Sequence, residues 1–87
     1  MSEESLLEFP CEFPIKIMGK ETPEFHVLAR ALVEEHAGPL ADSAIQSSLS
    51  RNGRFVSITA TINAQSQQQL DEIYQSLTAH DDVLMAL

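Results

Sequence analysis

Tryptophan is missing from this chain of 87 residues, which also holds only one cysteine, three glycines and five basic side chains. A lone Cys11 excludes an internal disulfide, so the sequence reads as a protein of a reducing compartment. Gly19, Gly38 and Gly53 make neither a Gly-x-Gly-x-x-Gly loop nor a Walker loop, and there is no serine-centred elbow. No apolar run approaches the roughly 20 residues that cross a bilayer. Met1-Ser2-Glu3-Glu4 lacks the basic start and apolar run of a secretory signal, which makes a cytoplasmic protein the expectation. Five basic groups against thirteen acidic ones give a formal charge of -8, repelling phosphate backbones and anionic lipids at long range. Neither nucleic acid nor a membrane is therefore the expected partner.

What is present is the composition of a small globular domain, 44% hydrophobic and 21% charged. A chain this short buries roughly 60 to 65% of its unfolded surface, enough for one core. The expected organisation is an N-terminal arm over 1–11 and a single domain over 12–87.

Alternation predicts the first strand. Phe13, Ile15 and Ile17 point one way, Pro14, Lys16 and Met18 the other. Because Pro14 has no backbone N–H, the strand is drawn from about Ile15 to Gly19. Thr22-Pro23 supplies a cap and a proline for the first helical position. Phe25, Leu28, Ala29, Leu32, Val33 and His36 then form one stripe, and Gly38-Pro39 stops a helix placed over about 23–37. Asn52-Gly53 is a strong hairpin signal. A two-residue loop there sets Arg51 opposite Arg54 and pairs Leu49 with Val56, Ser47 with Ile58 and Ile45 with Ala60. Gln46, Ser48, Ser57, Thr59 and Thr61 fall on the other face, with Phe55 near the tip, and a one-residue slip would destroy this partition. Ser66-x-x-Gln69 is a capping box for a second helix with stripe Leu70, Ile73, Tyr74 and Leu77. Val83, Met85 and Leu87 alternate as a last strand. The order predicts an α+β, ferredoxin-like βαββαβ domain, a four-stranded antiparallel sheet with two helices on one face.

Chemistry is sparse along this chain. Cys11 sits between Glu8 and Glu12, which oppose a thiolate, so it reads as a bystander. His26, His36 and His80 show no short ligand spacing, so no metal or cofactor is expected, and His36 suits the helix C-terminus electrostatically. The neighbours Glu34-Glu35 and Asp81-Asp82 diverge and make no dyad. The two Phe-Pro pairs around Cys11 have a mechanical reading. Proline prevents helix formation, while Leu6, Leu7 and Phe9 dock on the domain and set the start of the first strand.

Several blocks taken together carry a resemblance. Leu6-Leu7-Glu8-Phe9-Pro10, Lys16-Ile17-Met18-Gly19, Glu35-His36-Ala37, Val56-Ser57-Ile58-Thr59 with Ile62-Asn63-Ala64, and Val83-Leu84-Met85-Ala86-Leu87 resemble the bacterial YbeD-like family, from about Leu6 onward. The resemblance implies an ACT-like fold, no established enzymatic activity, a regulatory role suggested for lipoate metabolism, and no requirement for cysteine at position 11. By analogy with ACT-like domains it also implies small-ligand binding at the first strand-to-helix loop, Gly19, Lys20, Glu21 and Thr22. A local reading of that loop needs only a turn at Gly19 and a cap at Thr22.

The resulting expectation is a non-catalytic regulatory or adaptor domain that binds a partner protein or a small metabolite. Arg51, Arg54, Phe55, Ser57 and Thr59 are the candidate partner surface, and sheet-edge pairing offers a homodimer. The alternative is a small enzyme or enzyme subunit, for which no acid, base and nucleophile set is visible. An RNA-binding module ranks lower still, since Phe55 is the one aromatic seen on the open face.

Overall fold

The computed structural model describes residues 7–87; Leu6, which the sequence assigns to the docking arm, lies outside the described residues. Strand β1 (Cys11–Lys20) leads through helix α1 (Pro23–Ala37) to the hairpin of β2 (Ile45–Leu49) and β3 (Phe55–Ala64). Helix α2 (Gln67–Thr78) and a short β4 (Met85–Ala86) complete the order. The strands lie as β2-β3-β1-β4, every neighbouring pair antiparallel, which is the expected ferredoxin-like sheet. No helix among the described residues is long and apolar enough to cross a membrane.

One face of the sheet makes the core. Ile15 and Ile17 of β1 and Val56, Ile58, Ala60, Ile62 and Ala64 of β3 are buried against Phe25, Ala29 and Val33 of α1 and Leu70, Ile73 and Leu77 of α2. Period two on the strands and the near-fourfold period on the helices thus meet in one apolar layer with no buried polar residue among those described. Leu49, expected on the apolar face, is 59% exposed, because β2 is the outermost strand beyond β3.

Strand β1 starts four residues earlier than the proline rule predicts. Cys11 already pairs with Ala64, and Pro14 stands opposite Thr61 inside the ladder. The backbone bonds explain why. Lys16 exchanges both of its bonds with Leu87, and Met18 accepts from Leu84 N–H, so the even-numbered residues of β1 direct their backbone groups toward the β4 side. Pro14 shares that direction and lies past the Lys16–Leu87 pair, so its missing N–H breaks no bond to β3.

At the hairpin the expected register is observed residue for residue, while the turn differs. Gly53 N–H donates to Ser50 O and Ser50 N–H to Phe55 O, which closes a four-residue loop over 51–54. Side chains provide what a two-residue turn would have obtained from its backbone. Phe55 N–H donates to Ser50 Oγ, Arg54 N–H to Asn52 Oδ1, and Gly53 takes φ +75°. Only the closing pair is lost, because Ser50–Phe55 belongs to the same register.

The helix caps agree with expectation at three of four points. Phe25 N–H donates to Thr22 Oγ1 (3.0 Å), Gly38 N–H to Glu34 O (2.9 Å) and Gln69 N–H to Ser66 Oγ (3.1 Å). Gln69, however, accepts from Gln65 N–H rather than from the cap residue itself. Its amide N–H then donates to His36 O, which ties the start of α2 to the end of α1. His36 Nε2 lies 2.8 Å from Ser76 Oγ across the same helix pair, so this histidine joins two helices.

Candidate functional site

The helices leave the other face of the sheet uncovered, and the strand register decides what stands there. Along β1 this face presents Glu12, Pro14, Lys16, Met18 and Lys20. Lys20 is opposite Phe55, Met18 opposite Ser57, and Lys16 opposite Thr59. On the other flank Met85 is opposite Met18, so Met85 and its neighbour-but-one Leu87 also point to the open side. The last strand therefore turns its larger side chains outward, and Ala86 packs against the core. Phe55 is 41%, Met85 50% and Leu87 59% exposed. A shallow depression of about 220 Å³ lies between Met18, Ser48, Ser50, Phe55 and Ser57.

Charge on this face departs from that of the whole chain. Glu12 is the only acidic residue in any of the four strands, and it sits at the far end of β1 opposite Asn63. Arg30 is engaged elsewhere. It bonds Glu34 (3.2 Å), Asp42 (2.8 Å) and Leu40 O, and Glu34 also accepts from Leu40 N–H at 2.7 Å. The Leu40 N–H first, and then the Arg30 guanidinium, hold the Glu34 carboxyl below its usual range, while Asp42 and Glu34 raise that of Arg30. The four other basic residues, Lys16, Lys20, Arg51 and Arg54, make no ion pair among the described residues. Two stand on the open face and two in the loop at its end.

Of the expected partner residues, Phe55, Ser57 and Thr59 share this face, and Arg51 and Arg54 are exposed in the adjoining loop. Lys16, Met18, Lys20 and Met85 complete the surface and were not singled out for it. Their signal was the alternation Lys16-x-Met18-x-Lys20, which becomes part of a site only once β1 is known to lie between β3 and β4.

The loop residues Gly19, Lys20, Glu21 and Thr22 separate into different tasks. Gly19 is buried inside β1 rather than turning the chain; a Cβ there would lie 2.4 Å from the Phe25 ring and 2.8 Å from Asp82 O. Glu21 Oε1 is 2.6 Å from His26 Nε2, and its N–H donates to Arg54 O. Thr22 caps α1. Lys20 and Thr22, with Phe25, Asp81, Asp82 and Leu84, line a cleft of about 370 Å³ between this loop and the approach to β4.

Cys11 is half-buried beside the core and Phe9 packs on the same cluster, while Leu7 is 37% exposed. Among the described residues no three His, Cys, Asp or Glu side chains converge as a metal site.

Comparison with known proteins gives consistent results. Residues 4–87 match the family described as "Protein of unknown function (DUF493)". A UPF0250 protein of Nitrosomonas europaea is 46% identical over 87 residues, all of both chains, and one of Chromobacterium violaceum is 47% identical over 89 residues, again all of both. The solution structure of protein HP0495 from H. pylori superposes with a TM-score of 0.73 at 18% identity, covering 99% of this chain and 90% of that one. At that identity the likeness concerns the fold.

Proposed function

Given a chain that belongs to the DUF493 (UPF0250, YbeD-like) family of proteins of unknown function, we propose that it is a non-catalytic adaptor domain that binds another protein through the open face of its sheet. The observation that carries this reading is the face left uncovered among the described residues, where Met18, Phe55, Met85 and Leu87 adjoin lysines that make no ion pair with those residues. Large side chains left at a sheet surface gain free energy when covered. Phe55 and Met85 are already half-buried, so each contributes about 1 kcal/mol on docking, part of the full side-chain transfer value. Glu21 and His26 bond each other, Glu34 accepts from Leu40 N–H, and His36 bonds Ser76, which supports reading these groups as structural.

The test is capture from bacterial lysate by wild-type protein, by Met18→Glu and by Val27→Glu, the last an exposed change on the helix side. A protein retained by wild type and Val27→Glu but lost with Met18→Glu is the expected outcome. Equal retention by all three removes the open face from the function.

The cleft of Lys20, Thr22, Phe25, Asp81, Asp82 and Leu84 supports a second reading, binding of a small metabolite, since its volume of about 370 Å³ falls in the range of ligand pockets. Amide NMR with a panel of amino acids, short fatty acids, lipoate and nucleotides decides it. Saturable shifts at 19–25 and 81–84 establish a ligand; none removes this reading.

A further inference from the structure

We infer that the occupant of the open face is an acidic amphipathic helix of another protein, an inference that rests on the adaptor reading above. Its first support is the distribution of charge. In a chain with thirteen acidic residues, the basic ones that make no ion pair among the described residues gather at this surface: Lys16 and Lys20 on β1, Arg51 and Arg54 in the adjoining loop. In a chain of formal charge -8 these cations would relieve repulsion if scattered among the carboxylates, as Arg30 does with Glu34 and Asp42. Lys20 shares its cleft with Asp81 and Asp82, but it makes no ion pair among the described residues, and with Lys16, Arg51 and Arg54 it forms a local positive field on this face that selects an anionic partner.

The second support is the apolar centre. Met18 lies between Lys16 and Lys20 along the strand, with Phe55 and Met85 on the two neighbouring strands. A free anion or a polyanionic chain has no use for these side chains, whereas an apolar stripe flanked by carboxylates matches both components. Methionine fits such a role because its unbranched, polarizable side chain adapts to different partner shapes.

The third support concerns the partner's backbone. The N–H and C=O groups of β1 and β3 lie in the plane of the sheet and bond along its ladders, so an extended segment laid across the face would find no backbone partner there. A helix satisfies its own groups and needs only side-chain contact. Lys16 and Lys20 are separated by about 14 Å at strand spacing, a distance that roughly nine residues of helix span. Two to three turns with Leu at i, i+3, i+4 and i+7 and Glu on both flanks therefore complement the face.

The test uses the full 87-residue protein and three synthetic amphipathic peptides with the same leucine stripe, flanked by Glu, by Lys or by Gln. Binding is read by fluorescence polarization and mapped by amide NMR. The Glu peptide is expected to bind with shifts at Lys16–Lys20, Phe55–Ser57 and Met85–Leu87, and the double variant Lys16→Glu/Lys20→Glu, altered only at exposed positions, is expected to weaken it at least tenfold. Equal binding of the Gln peptide at the same residues overturns the acidic partner while leaving the open-face reading in place. Shifts confined to the outer edge of β2 or to the helices overturn both. If all three peptides are silent, the acidic helix is overturned, and the lysate experiment alone judges the adaptor reading. Two further results would also overturn it: binding of a mixed single-stranded oligonucleotide at the face, or self-association by light scattering that Met18→Glu abolishes.

Discussion

Replacing Gly19 by alanine tests the packing around the first loop with a single methyl group. The added Cβ would meet Phe25 Cε1 and Cζ at 2.4 Å and Asp82 O at 2.8 Å, whereas carbon atoms in contact settle near 3.5–4.0 Å. The ring must then withdraw by about 1 Å or more. Phe25 is only 3% exposed in the core, and Asp82 O is backbone held by the short turn in which Val83 N–H donates to His80 O. Neither can yield freely. Overpacking of this kind costs about 1–3 kcal/mol, and contact with a core-buried ring on one side and a backbone carbonyl on the other puts Gly19→Ala at the upper part, about 2–3 kcal/mol. For a domain of this length that is a fall in Tm of about 8–24 °C, read by circular dichroism. The double variant Gly19→Ala/Phe25→Leu shortens the ring and should recover about 1 kcal/mol relative to the sum of the single changes. A Tm within about 2 °C of wild type, well under the shift for 1 kcal/mol, would refute the reasoning and return Gly19 to an ordinary strand position.

Other residues give independent checks. Phe9→Ala removes a partly buried ring beside the core and should cost about 1–2 kcal/mol, less than a fully buried phenylalanine; an unchanged urea midpoint would remove Phe9 from the docking arm. Glu34→Gln disturbs the carboxylate that accepts from Leu40 N–H and Arg30. Because the folded state depresses the Glu34 pKa, its contribution is present above the unfolded value and disappears as pH falls through the folded one. Urea midpoints of wild type and variant should therefore differ at neutral pH and converge in strong acid. Tyr74, the only tyrosine in a chain without tryptophan, is raised above its ordinary value by burial. Its phenolate absorbance should appear at higher pH in the folded protein than in urea, and stability should decline as pH passes the unfolded tyrosine's pKa. Coincident titrations would show that the ring is solvated.

Much of this architecture was legible along the chain because its signals act over a few residues. Thr22-Pro23 and Gly38-Pro39 gave α1 its limits, since a cap oxygen, a missing N–H and a glycine of positive φ work within one turn of helix. The β2–β3 register was legible because alternation and turn residues agree, even though Ser50 and Asn52 side chains closed a longer loop than Asn52-Gly53 implied. Tertiary structure decided the rest. Whether Pro14 interrupts a strand depends on which flank its nitrogen faces, and that is the β4 flank, beyond the pair that Lys16 makes with the distant Leu87. Gly19 is a glycine because a phenylalanine ring and a carbonyl from another part of the chain converge on it, with no turn involved. The candidate face likewise has no local signature. Lys16, Met18 and Lys20, Phe55 and Met85 come from strands that the sequence keeps far apart, and only the order β2-β3-β1-β4, set by burying one face against two helices, places cation beside apolar side chain on the other.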